Sequence, residues 1–102
     1  YTILHRNYTL HWGEIDIIAT KSDSLGNKQL IFVEVKARIG YLKGKPYEAI
    51  TYAKRKHLMR SAQYFLKTHN YPDYSYRVDV ISIVLSTTCT VLELKHYENI
   101  MV

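Results

Sequence analysis

The chain has 102 residues, enough for one hydrophobic core and too few for two separately cored domains. An apolar share of 47% with four Gly and two Pro excludes a disordered polymer, and no apolar run approaches the roughly 18 residues of a membrane helix. The net charge of +5 is unevenly spread: residues 36–60 carry eight basic side chains against the single acid Glu48, so the rest is slightly acidic.

The chain opens without a basic, apolar and small-residue leader pattern, and a soluble, cytoplasmic protein is expected. A lone cysteine, Cys89, excludes an internal disulfide and a thiolate zinc cluster, and reads as a strand residue in or near the core. The histidines His5, His11, His57, His69 and His96 are scattered, with no pair spaced to share one turn of a helix face, and read as structural or surface groups.

Residues 1–11 are rich in β-branched and aromatic side chains and predict a first strand, with Trp12-Gly13 as a turn or bulge. Residues 14–20 alternate, which predicts Ile15, Ile17 and Ala19 on one face and Glu14, Asp16, Ile18 and Thr20 on the other. The turn formers in residues 21–28 close a hairpin onto a third strand over 29–38, with Ile31, Val33 and Val35 opposite Phe32, Glu34, Lys36 and Arg38.

A loop over 39–45 leads to Pro46, placed to open a short helical turn through Ile50, and Thr51 is a cap for a helix reaching about His69. Leu58, Met59, Ala62, Phe65 and Leu66 form its buried stripe, and Lys54 lies one turn earlier on the same stripe. A turn over 70–75 precedes strands over 76–85 and 91–97. The order βββαββ is that of a single α/β or α+β domain on one mixed sheet.

The chemistry concentrates in two segments, Gly13-Glu14-Ile15-Asp16 and Val33-Glu34-Val35-Lys36. Strand residues two apart share a face, and a hairpin folded about Leu25 sets Asp16 opposite Glu34 and Glu14 opposite Lys36. Such a patch can hold a hard cation: Mg²⁺ (or Mn²⁺) takes one or two carboxylates together with waters and substrate phosphate. Asp16 and Glu34 are the candidate metal ligands and Lys36 the candidate catalytic cation. The structural alternative is a cross-strand ion-pair set with Glu14 on Lys36. Apolar neighbours on both faces argue against it, because grouped carboxylates in a covered hairpin are costly without a cation.

The same residues carry a resemblance. Arg6-Asn7-Tyr8, the run 13–19, Phe32-Val33-Glu34-Val35-Lys36-Ala37-Arg38, then Gly44, Pro46, Glu48-Ala49, the helix positions Thr51, Lys54, Leu58, Ala62 and Leu66, and Arg77-Val78-Asp79-Val80 resemble the YraN family of bacterial proteins, itself similar to archaeal Holliday-junction resolvases. That resemblance implies a restriction-endonuclease-like fold of the PD-(D/E)xK class, with Asp16, Glu34 and Lys36 as its centre and Lys54 as the auxiliary helix residue. The alternative for Lys54 is a lysine reaching from a buried stripe to solvent. The resemblance also implies a helix with an acidic residue upstream of Tyr1, and a homodimer by analogy with resolvases.

A metal-dependent endonuclease acting on DNA, branched or junction DNA included, is therefore the expected function. Arg38, Lys43, Lys45, Arg55, Lys56 and Arg60 are the candidate phosphate contacts. Glu14 and Glu48 are candidate supporting acids, and Arg77 with Asp79 reads as an ion pair supporting the fold. Trp12, Tyr41 and Tyr47 read first as packing, with base stacking as the alternative. Two other functions stay open: a nucleic-acid-binding module without turnover, using the same basic face, and a domain that meets an acidic protein partner.

Overall fold

The computed structural model describes residues 1–40, 52–71 and 74–100. In chain order the elements are β1 (Thr2–Leu10), β2 (Gly13–Ser22), β3 (Lys28–Ile39), α1 (Tyr52–Thr68), β4 (Ser75–Leu85) and β5 (Val91–Tyr97). The expected order and element types hold. The helical turn after Pro46 and the Thr51 cap lie outside the described residues.

The strands form one five-stranded mixed sheet in the order β1-β2-β3-β4-β5, with only the β3–β4 pair parallel. Hairpins suffice for the antiparallel neighbours, whereas a parallel pair needs a crossover, and α1 lies in that crossover. The result is an α/β architecture with the helix over one sheet face. Among the described residues no helix is long and apolar enough to cross a membrane.

The β2–β3 turn is set by Asp23, whose carboxylate accepts the backbone N–H groups of Leu25 and Asn27, both at 2.9 Å. Gly26 takes the left-handed conformation (φ 84°) that closes the turn without a Cβ clash. These bonds hold the Asp23 pKa below the ordinary carboxylate value, the Asn27 N–H first, against a smaller opposing effect of burial. The turn places Ser22 opposite Lys28 and Ile17 opposite Val33, the register expected for a fold about Leu25.

The core lies between the sheet and α1: Ile15, Ile18, Leu30, Phe32, Val78 and Val80 meet Leu58, Ala62, Phe65 and Leu66. Phe65 sits at its centre, edge-on to Tyr8 at 5.4 Å and to Phe32 at 5.8 Å. Full burial of each such side chain stabilises the fold by about 1.5–3 kcal/mol.

Three expectations need correction. Met59 is 38% exposed, and Ser61 takes its place on the buried face, because the stripe advances by three and four residues and leaves Met59 at its edge. Cys89 is neither in a strand nor in the core: it is an exposed residue at φ 63° in the β4–β5 turn, where Ser86 Oγ accepts the N–H groups of Thr88 and Thr90.

The third correction bears on the site. Ile15 and Ile18, three residues apart, both enter the helix-side core, which strict alternation forbids. Their partners in β1, Tyr8 and His5, both pack on Phe65, and Asn7 between them has φ 53°. The β1–β2 hairpin thus breaks its pleat at one level, and Asp16 lies at that break.

Candidate active site

The paired residues of β2 and β3 run from the turn to Ile17 and Val33, and Asp16 is the next residue along β2. There a side chain replaces a strand: Asp16 Oδ2 accepts the Val35 backbone N–H at 2.7 Å. The Asp16 carboxylate is thereby held beside the next carboxylate-bearing position of β3.

Glu34 projects from β3 between Phe32 and Lys36, and is only 5% exposed. Its Oε1 receives two ammonium groups, Lys54 Nζ at 3.0 Å and Lys36 Nζ at 3.4 Å. Burial of a lone carboxylate would cost several kcal/mol, so two cations on one oxygen are a direct physical compensation. Lys36 therefore pairs with Glu34 along its own strand rather than with Glu14 across the hairpin.

The two lysines perturb one another. Lys54, as a hydrogen-bonding neighbour, is the main reason that the Lys36 pKa falls below the ordinary lysine value. Burial and the Lys54 charge add to this, and Glu34 opposes it. Burial acts to lower the Lys54 pKa, but its contacts with Lys36 and Glu34 and the nearby Asp16 charge outweigh this and raise it. One lysine is thus a firm cation and the other an easier proton donor.

A cleft of about 350 Å³ opens at this point, lined by Trp12, Gly13, Glu14, Asp16, Glu34, Lys54, His57, Leu58 and Ser61. Trp12 is fixed over it by an indole N–H donated to Ser61 Oγ at 2.9 Å. His57 and Ser61 were not singled out from the sequence. Their signal was helical spacing, since 54, 57, 58 and 61 recur at i, i+3, i+4 and i+7 along one face of α1. Ser82 is the parallel-register partner of Lys36, and among the described residues its buried Oγ has no hydrogen-bond partner.

The other expected residues divide clearly. Glu14 lines the cleft as an exposed side chain. Arg38 is two residues beyond Lys36 on β3, and Arg55, Lys56 and Arg60 lie on α1, which has five basic residues and no acid. Lys43, Lys45, Glu48, Tyr41 and Tyr47 lie outside the described residues. Arg77 and Asp79 take no part in lining the cleft. Asp79, fully buried, accepts Arg77 Nε–H at 3.0 Å and the Asn99 N–H at 2.9 Å, and lies 2.7 Å from His96 Nε2.

Asp16 and Glu34 are oxygen donors on one cleft, the donor type and number that a hard dication takes from protein when waters and phosphate complete its shell. Among the described residues no group of three or more His, Cys, Asp or Glu side chains is placed to hold a metal. Glu14 therefore does not complete a three-carboxylate set.

Fold and site together define an α/β protein in which two carboxylates and two lysines converge at the end of a β-hairpin ladder. The family with this sequence pattern is known: residues 1–83 match the model of Uncharacterised protein family UPF0102, and the chain belongs to that family, also called YraN. A UPF0102 protein of Caldicellulosiruptor saccharolyticus is 38% identical over 99 residues, covering 97% of this chain and 80% of the relative. UPF0102 proteins of Clostridium acetobutylicum and Clostridium botulinum are each 38% identical, over 97% of this chain and 77% of their own lengths.

Proposed function

We propose that this protein is a metal-dependent endonuclease of restriction-endonuclease-like fold acting on DNA, branched DNA included. The observation that carries the reading is the convergence of Asp16, Glu34, Lys36 and Lys54 where the β2–β3 ladder ends, beside a helix with five basic residues and no acid. Asp16 and Glu34 would hold Mg²⁺ or Mn²⁺, which supplies charge neutralisation at phosphate and a more acidic water.

The chain's own groups do the rest. Lys36, with its lowered pKa, is placed to orient the attacking water, exchange a proton with it and stabilise negative charge developing on the phosphate. Lys54 is a positioning residue that acts through Glu34 Oε1. Arg38, Arg55 and Lys56 hold the flanking phosphates by charge. A role on four-way junctions requires two matched cuts, hence two copies of the chain.

A second reading has its own support. The four charges of Asp16, Glu34, Lys36 and Lys54 cancel, so the cluster is electrostatically compensated without a metal. On that reading the protein binds nucleic acid through α1 and does not turn over. Cleavage of linear and branched DNA in Mg²⁺ and in Mn²⁺ by the native protein and by Asp16→Ala separates the two. Metal uptake with cleavage lost in the variant supports the enzyme, and salt-sensitive binding with neither supports the module.

A further inference from the structure

The rim of the cleft bears a feature that phosphate chemistry does not use. The Arg60 guanidinium lies over the Trp12 ring, 4.3 Å from its centroid. Tyr64, one helical turn further and 43% exposed, meets the same ring edge-on at 5.4 Å, and His11 does so at 4.7 Å from the other strand end. The Trp12–Ser61 bond fixes the indole, so the assembly is held in place before any ligand arrives.

A phosphate contact made by charge alone needs only a cation, which a lysine also supplies. A guanidinium seated on an aromatic ring differs in presenting a flat, weakly hydrated cationic plane, a surface that stacks with a nucleobase. Arg60 is an exposed residue, so a ligand can reach it. Trp12 and Ser61 also line the cleft that holds Asp16 and Glu34, which puts this surface directly beside the carboxylates.

We propose that Arg60, seated on Trp12 and flanked by Tyr64, is a stacking platform for an unpaired nucleobase next to the phosphate in the cleft. The substrate class is then nucleic acid with unpaired nucleotides at the cut site: single strands, flaps or open branch points. In a continuous duplex each base already has both faces covered by neighbours and offers nothing to stack on. The inference rests on the nucleic-acid reading above and assigns its substrate.

The test is equilibrium binding in EDTA, followed by fluorescence anisotropy, of a short oligothymidylate, the same strand with abasic sites at its centre, and a continuous duplex. Base stacking is worth a factor of about 5 to 140 per base, so the thymidylate should bind more tightly than the abasic strand by at least about fivefold. Arg60→Lys keeps the charge and removes the plane, and should bring that ratio close to one while leaving abasic-strand affinity and its salt dependence nearly unchanged. Trp12→Phe, which loses the anchoring N–H, should lower the ratio in the same direction.

Equal affinity for thymidylate and abasic strands, or an unchanged ratio in Arg60→Lys, overturns the platform and leaves the endonuclease reading standing. Base-dependent binding without cleavage in Mg²⁺ or Mn²⁺ overturns the endonuclease and leaves the platform. Failure to bind any of the three overturns both.

Discussion

The Val35 backbone N–H is donated to Asp16 Oδ2 at 2.7 Å, so a side chain occupies the place a strand carbonyl would hold. This one bond gives Asp16 a structural duty beside the metal-holding role proposed for it, and the two can be separated. Asp16→Ala leaves a part-buried N–H unsatisfied and should cost about 1–3 kcal/mol in urea denaturation. Asp16→Asn keeps an acceptor and should cost less than half as much. Both should lose divalent-cation affinity, read by calorimetric titration with Mn²⁺.

Lys36 and Lys54 share Glu34 Oε1, and Lys54 opposes the protonation of Lys36. A lowered lysine pKa means that the ammonium loses its proton at lower pH than an ordinary lysine. Lys54→Met removes the main cause of the lowering, so Lys36 should hold its proton to higher pH. NMR titration of the Lys36 side chain checks the direction, and an alkaline limb in any cleavage profile should move the same way.

The buried Asp79 is a structural group, and its test is stability. Three donors converge on it from Arg77, His96 and the Asn99 backbone, tying β4 to β5 and to the segment after β5. Asp79→Ala leaves the half-buried Arg77 with the exposed Glu98 carboxylate and the Tyr1 hydroxyl and strands the Asn99 N–H, and should cost at least about 1–3 kcal/mol by chemical denaturation. Metal affinity at Asp16 and Glu34 should survive wherever the variant remains folded.

Much of this was legible in the sequence. Alternation marked the strands, the apolar stripe marked α1, and the turn formers around Leu25 fixed a register that brings β2 and β3 together as expected. Asp16, Glu34, Lys36 and Lys54 meet because each lies on an element with a strong periodic signal. What alternation could not show is where it stops: the pleat breaks at the level of Asn7 and Asp16, where Asn7 takes φ 53°, a conformation that residue type specifies only weakly. Cys89 and Met59 lie outside the core, which was not legible for a related reason, since apolar character alone does not distinguish a turn or stripe edge from the core. The link from His96 to Asp79 joins residues 17 apart across two strands and has no local signature.

Charge on α1 predicts a salt dependence. Arg55 and Lys56 lie in a helix with no compensating acid, and Lys56 extends over the Tyr52 ring at 5.0 Å. If each neutralises one phosphate, replacing either by Ala should reduce the slope of log affinity against log salt by about 0.7–0.9 for single strands or duplex. Anisotropy titrations over a series of salt concentrations measure it. An unchanged slope would move the phosphate path off this part of the helix.

In the proposed function, Asp16 and Glu34 form a metal-dependent phosphodiesterase centre. The most direct measurement is cleavage of end-labelled single-stranded and branched DNA by native protein, Asp16→Asn and Glu34→Gln, with Mn²⁺, with Mg²⁺ and with EDTA. Cleavage by the native protein should need the cation, and either variant should lose at least about a hundredfold, the scale of losing a group that stabilises transition-state charge. Cleavage that persists in both variants, or native protein that binds DNA yet neither takes up the cation nor cuts, would contradict it.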